Sequence, residues 1–91
     1  MKTPKQLERH FKGIANHRRI QILFLISAHP KITLHEISEE LKCNFKTISE
    51  HTRRLTAAGL VNKRYQGNKV EHELSPYGIK IFTMLKVFSN S

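Results

Sequence analysis

Two helical patterns in this sequence stand only three residues apart. "TLHEISEELKCNFKTISEHTRRLTAAGLV", Thr33 to Val61, puts Leu34, Ile37 and Leu41 on one helix face, then Ile48, Thr52 and Leu55 on another. Thr33 with Glu36 forms a capping box, in which the hydroxyl and the carboxylate each satisfy a backbone N–H at a helix start. After Lys42 and Cys43, Asn44 is a second N-cap, and Gly59 terminates the helix it opens. Two helices joined by about three residues make a helix-turn-helix.

Upstream, Pro4 suits a first helical turn, and Leu7, Phe11, Ile14 and Ala15 give that helix one apolar face, with Gly13 weakening its end. Asn16 then caps a helix from His17 to Ala28, whose Ile20, Ile22, Leu23, Phe24, Leu25 and Ile26 mark it as the central element of a core. The run is too short to span a bilayer, which takes about 20 apolar residues. Gln21 also interrupts it, so a buried helix is a better reading than a signal peptide. "HPK", His29 to Lys31, breaks the helix. From Leu60 the apolar period changes to two. Leu60 to Gln66 and Lys69 to Leu74 read as strands joined at Gly67-Asn68, a pair that tolerates the positive φ of a tight hairpin. Ser75-Pro76 starts a last helix carrying Ile79, Ile81, Phe82, Leu85 and Phe88, and only the "SNS" tail is expected to be disordered.

Ninety-one residues suffice for one domain with a modest core and are too few for a deep, enclosed substrate site. Sixteen Lys and Arg against seven Asp and Glu leave a formal charge of +9, which makes nucleic acid the leading partner class. Charge alone does not separate DNA from RNA or from an anionic membrane surface. The single cysteine, Cys43, rules out an internal disulfide and fits a reducing, cytoplasmic setting. Cys43 itself reads as a small buried hydrophobe rather than a redox sensor.

The expected fold is therefore mainly α with a small β-hairpin, a winged helix-turn-helix in the order α-α-α-α-β-β-α. Residues 1–91 would form one domain, with the helix-turn-helix at 33–58 and the wing at 60–75. "LKCNFKTISEHTRRLTAAGLV" resembles the turn and recognition helix of ArsR-type transcriptional repressors, and its "NFKT" start is similar to archaeal-type winged-helix regulators. The likeness extends through "FKGIANHRRIQILFLI" and "NKRYQGNKVEHELSPYGIKIF", nearly the whole chain. It implies a homodimeric regulator of double-stranded DNA, acting as a repressor. It also implies that helices 4–15 and 76–88 form the two-fold interface through Leu7, Phe11, Ile79, Phe82, Leu85 and Phe88, with Met84 beside them. The plainer reading places about half of these in the monomer core. A membrane role is not expected, because no helix combines a basic face with large exposed aromatics.

A helix fits the major groove, and residues at its N-terminal end reach base edges. Here that end carries Asn44, Phe45, Lys46 and Thr47. With Ile48, Thr52 and Leu55 turned inward, Ser49, Glu50 and Arg53 face out. Lys46, Ser49 and Arg53 are the expected DNA contacts, Thr47 a phosphate or thymine-methyl contact, and Arg54 a phosphate contact. Glu50 is expected to pair with Arg53 or Arg54 across one turn rather than to accept from cytosine. Phe45 reads as packing, although an exposed ring there could touch a thymine methyl, and His51 reads as structural. The wing offers Lys63, Arg64, Tyr65, Gln66, Asn68 and Lys69 to a phosphate backbone or minor groove, while Glu71 and Glu73 confine contact to its tip.

Metal-sensing ArsR-type proteins carry a cysteine pair in the first helix of the turn motif, or acidic and His ligands on the last helix. Neither pattern occurs here. His35 with Glu39, and His72 between Glu71 and Glu73, are too few for a zinc site and read as surface pairs. His10, His17 and His29 suggest neither a ligand set nor a catalytic base, and no nucleophile, base or phosphate-loop pattern points to an enzyme. No cofactor, metal or small effector is indicated. The rival class is a winged-helix module for RNA or protein docking. It gains if the N-terminal cations Lys2, Lys5, Arg9, Lys12, Arg18 and Arg19 dominate a face apart from Lys46, Arg53, Arg54, Lys63, Arg64 and Lys69.

Overall fold

The helix at the centre of the molecule, α2, runs from His17 to Ala28 and has Ile22, Leu23 and Ile26 sealed from solvent. A computed structural model describes residues 1–90 and places around it α1 (Pro4–Ile14), α3 (Leu34–Leu41), α4 (Phe45–Ala57), β1 (Val61–Gln66), β2 (Lys69–Leu74) and α5 (Pro76–Ser89). α2 touches each of the other four helices and β2. Its apolar side chains share one cluster with Ile37, Ile48, Leu55, Leu60, Val61 and Ile81, so a single core holds every element. The order is that of a winged helix-turn-helix, as the sequence predicts.

The helix starts follow local chemistry. Asn16 accepts from the backbone N–H groups of Arg18 and Arg19, and Thr33 with Glu36 forms the expected capping box. A further box, Thr3 with Gln6, opens α1; its reach-back bond from the Thr3 N–H to Gln6 Oε1 is 2.8 Å. Between α3 and α4 the chain turns through Lys42 at φ 51°, a left-handed conformation that usually selects glycine. The turn is fixed by Ser38, whose hydroxyl donates to the Cys43 carbonyl at 2.6 Å while its own carbonyl accepts from the Cys43 N–H at 3.1 Å. Cys43 is half-buried against the core rather than enclosed.

Two glycines act by allowing close approach. A Cβ at Gly13 would collide with the Cβ of Ala58, so Gly13 lets α1 press against the end of α4; its role is tertiary and not the weakening of a helix end. A Cβ at Gly78 would run into the Leu60 carbonyl, where α5 starts beside the entry to the hairpin. Ser75 ties the same junction: its hydroxyl donates to the Gly59 carbonyl at 2.6 Å and accepts from the Gly78 N–H at 3.0 Å. The strands pair antiparallel from Val61 opposite Leu74 to Gln66 opposite Lys69, with Gly67 at φ 62° in the turn. At the other end of the chain Ser89 closes α5 and the Asn90 N–H caps it, so the expected loose tail is helical as far as Ser89; Ser91 lies outside the described residues.

His72, expected in a surface pair, is instead fully buried. β2 gains a one-residue bridge to the loop before α3: the Lys31 N–H donates to the His72 carbonyl and the His72 N–H to the Ile32 carbonyl, each at 3.0 Å. The ring adds a third bond, from Nδ1 to the Ile32 carbonyl at 3.0 Å. A carbonyl only accepts, so Nδ1 carries the proton and Nε2 is the bare nitrogen, with no partner among the described residues. The alternation of a strand explains the miss, since Glu71 and Glu73 turn to one face and His72 to the other.

Burial, followed by the Lys63 charge across the hairpin, holds the His72 pKa below its ordinary value of 6.5, against the opposing pull of its bond to Ile32. The unfolded chain therefore binds the extra proton first, and this contribution to stability is complete above about pH 6.5 and lost as pH falls from there toward the depressed native value. Urea melts from pH 7.5 down to 5 should show falling stability, and His72→Asn, whose amide can keep the bond to Ile32, should flatten that fall. In the same assay Gly78→Ala should lower stability by about 2 kcal/mol, because overpacking against a backbone carbonyl outweighs the helix propensity gained.

Candidate nucleic-acid interface

α4 has the composition of a helix built to stay half in water. Ile48, Thr52 and Leu55 are buried, and the Thr52 hydroxyl is satisfied by the Ile48 carbonyl at 2.8 Å. Asn44 caps its start by accepting from the N–H groups of Lys46 at 2.8 Å and Thr47 at 3.3 Å. Lys46, Thr47, Glu50, Arg53 and Arg54 are exposed and Ser49 is partly so, leaving an outward stripe of positions 46, 49, 50 and 53.

Glu50 organises the second turn of that stripe. Its carboxylate accepts from Arg53 Nε at 2.8 Å and from a terminal nitrogen at 2.7 Å, a two-point pairing, with Arg54 Nε at 3.7 Å. The bond from Arg53 first, then the charges of Arg53 and Arg54, hold the Glu50 carboxyl below the usual carboxylate range. The expected pairing of Glu50 is thus present with both arginines. At the next position, the partly buried His51 ring lies 3.4 Å from a terminal nitrogen of Arg19; burial, then the charge of Arg19, lowers its pKa.

Phe45 departs from the packing expected of it. The residue is 42% exposed, and its ring lies nearly flat on the His35 ring of α3, with centroids 4.4 Å apart and planes at 21°. All six wing residues, Lys63, Arg64, Tyr65, Gln66, Asn68 and Lys69, are exposed, while Glu71 and Glu73 at its base are half-buried. Arg64 is drawn toward Glu73 at 3.7 Å, which turns one of the six toward the base.

The N-terminal cations do not all form a face of their own. Arg9, Lys12 and Arg19 meet Arg53 and Arg54 around a shallow pocket of about 240 Å³ at the junction of α1, α2 and α4. The sequence patterns of separate helices gave no sign of this meeting, which needs the close approach that Gly13 permits. On the far side, Leu7 and Phe11 of α1 and Ile79 and Phe88 of α5 are exposed, whereas Phe82 and Leu85 are half-buried against the core. Phe82 meets Phe24 edge-on at 5.2 Å. Sequence reasoning passed over Tyr77, whose ring meets that of the buried His10 at 5.1 Å with the planes tilted by 32° and lies beneath the Lys2 ammonium at 4.1 Å. His10 in turn donates from Nδ1 to the Ala58 carbonyl at 2.7 Å, joining α1 to the end of α4.

Among the described residues no three His, Cys, Asp or Glu side chains are placed to share a metal ion, and no helix is long and apolar enough to cross a membrane.

Residues 16–63, the span from the α2 cap to the start of the wing, match the family model described as bacterial regulatory protein, arsR family. No curated protein sequence matches the chain significantly. Among solved structures, the homodimeric winged helix-turn-helix DNA-binding domain of Mb0332 from Mycobacterium bovis, a possible ArsR-family transcriptional regulator, is similar with a TM-score of 0.85 and 26% identity. That match covers 94% of this chain and 80% of the other. Reduced HlyU from Vibrio cholerae matches with a TM-score of 0.80 and 27% identity over 94% of this chain and 87% of its own. FabT from Streptococcus pneumoniae, solved in complex with DNA, shares the fold with a TM-score of 0.74 at 20% identity, over 79% of this chain and 52% of its own. The fold of this chain and the family model matched from cap to wing agree: the chain belongs to the ArsR family of bacterial regulatory proteins, DNA-binding transcriptional regulators rather than enzymes.

Proposed function

We propose that the protein binds double-stranded DNA sequence-specifically as a homodimer and represses transcription by occluding a promoter. The observation that carries this reading is the outward stripe of α4, flanked by an exposed basic wing and continued by Arg9, Lys12 and Arg19. An α-helix with such a stripe fits a major groove, and the cations beside it suit the phosphates on either side. Lys46 and Ser49 contact base edges, and Arg53 does so with its guanidinium oriented by Glu50. Thr47 and Arg54 meet phosphates, and Lys63, Arg64, Tyr65, Gln66, Asn68 and Lys69 follow the backbone from the wing.

The chain is one domain over 1–91, with recognition assigned to 33–58 and 60–75 and self-association to 4–15 and 76–88. Leu7, Phe11, Ile79 and Phe88 supply the apolar surface of that contact, joined at its edge by Phe82 and Leu85. Two-fold pairing would set two recognition helices roughly 34 Å apart, on successive major grooves of a palindromic site. The homodimeric state of Mb0332 supports the pairing by similarity.

Selection from a randomised duplex pool at near-physiological salt tests the whole reading. A two-fold symmetric motif preferred over scrambled duplex by about 10³ or more is expected; salt-steep binding to every polyanion, RNA included, would overturn specific recognition. On the selected site, Lys46→Ala and Arg53→Ala should relax base preference, each at its own position. Lys69→Ala should weaken binding to all sequences and reduce the salt slope by about one unit. Sedimentation of Phe11→Asp and Phe88→Asp should show monomers, with site affinity lost although the helical circular dichroism is retained.

A further inference from the structure

We infer that Phe45 reads the 5-methyl group of a thymine, and that His35 positions its ring to do so. The inference rests on the DNA-binding reading above and names a chemical feature of the base that α4 recognises. An apolar ring at the first position of a helix whose start enters a groove needs a reason to stay in water, and 42% of Phe45 is exposed. It is held by a neighbouring ring: stacking on His35 at 4.4 Å fixes one face of Phe45 and leaves the rest of it presented outward. Phe45 is also the residue shared by two surface depressions. One, of about 410 Å³, lies along the polar stripe with Lys46, Ser49, Glu50 and Arg53. The other, of about 350 Å³, runs between α3 and the wing with Leu34, His35, Asn68, Lys69 and Val70. The ring is thus an apolar ridge between the hydrogen-bonding side chains of the recognition helix and the wing tip.

The major-groove edges of the bases offer donors and acceptors that Phe45 cannot use, and one apolar feature that it can. That feature is the thymine methyl, which distinguishes thymine from cytosine and, alone, from uracil. Lys46 and Ser49, next on the same stripe, remain available for the polar edges of adjacent pairs. Phe45 therefore contributes preference for thymine at one position of each half-site, and His35 acts on that preference only through the ring it supports.

The test uses the duplex selected from the random pool, with each thymine replaced singly by deoxyuridine, a change that removes the methyl and nothing else. At one thymine per half-site the replacement should weaken the wild-type chain about fourfold, the worth of one methyl group taken out of water. Phe45→Ala and Phe45→Gln should bind the thymine and uracil duplexes equally there, and His35→Ala should narrow the wild-type ratio while the Lys46-dependent preference stays in place. Uracil tolerated at every position by the wild type would overturn the inference. So would a ratio that survives in Phe45→Ala: with overall affinity kept it would assign the methyl to another side chain such as Thr47, and with both duplexes weakened equally it would make Phe45 a packing residue or a wedge between bases. A pool that enriches no site would bring down the DNA reading and this inference together, whereas a specific site indifferent to uracil would bring down this inference alone.

Discussion

Three side chains decide where α4 sits. A 13-residue helix rich in charge and hydroxyl groups is marginal in isolation, and its geometry depends on what it buries. Ile48 and Leu55 are fully enclosed in the cluster built on Ile22, Leu23 and Ile26 of α2, and Thr52 is buried on the same face with its hydroxyl bonded to the Ile48 carbonyl. With that one face committed to the core, the orientation of every other position on α4 is fixed. Lys46, Ser49, Glu50 and Arg53 face outward because of that commitment, and Glu50 then narrows the arginine's freedom further by its two-point bond.

The features legible in the sequence are those whose cause lies within a few residues. Asn16, Thr33 with Glu36, Asn44 and Ser75 each announce a helix start because the cap and the N–H it satisfies are neighbours in the chain. The switch to period two at Leu60 and the Gly67-Asn68 pair similarly mark the hairpin, and the pairing of Glu50 with Arg53 follows from spacing on one helix. What was not legible has its cause far away in sequence. Gly13 is small because of Ala58, Gly78 because of Leu60, and His72 is buried because the loop at Ile32 closes over it. Phe45 is apolar yet exposed, a combination that no local pattern announces, and its neighbour His35 belongs to a different helix. Lys42 takes a left-handed conformation with no glycine to advertise it, because the Ser38 hydroxyl and carbonyl hold the turn from the preceding helix.

Charge is distributed on the same principle of local pairing and global excess. The ion pairs Glu8 with Lys12, Glu50 with Arg53 and Arg54, and Glu73 with Arg64 are all reached by solvent, so each contributes little to stability. Sixteen cations against seven carboxylates leave most of the positive charge to repel itself. Where Arg9, Lys12 and Arg19 meet Arg53 and Arg54 that repulsion is concentrated, and a polyanion would relieve it. The fold tolerates the strain because the core, rather than the surface, carries its stability.

Ser75 gives the molecule a joint. One hydroxyl holds the carbonyl of Gly59, just past the end of α4, and the N–H of Gly78, in the first turn of α5. The backbone N–H of Ser75 meets the Leu60 carbonyl at 3.0 Å, and the missing side chain of Gly78 lets the helix seat against that same carbonyl. The end of one helix and the beginning of the other are therefore tied at a single corner by the bonds of Ser75 and the close seat of Gly78. In a two-fold pair built through α5, any tilt of one α5 against the other would be carried through this corner as a change in the pitch and separation of the two α4 helices. The distance between half-sites would then be a readout of how the last helices meet, and anything that wedges between them would act on DNA binding as a lever acts through its fulcrum.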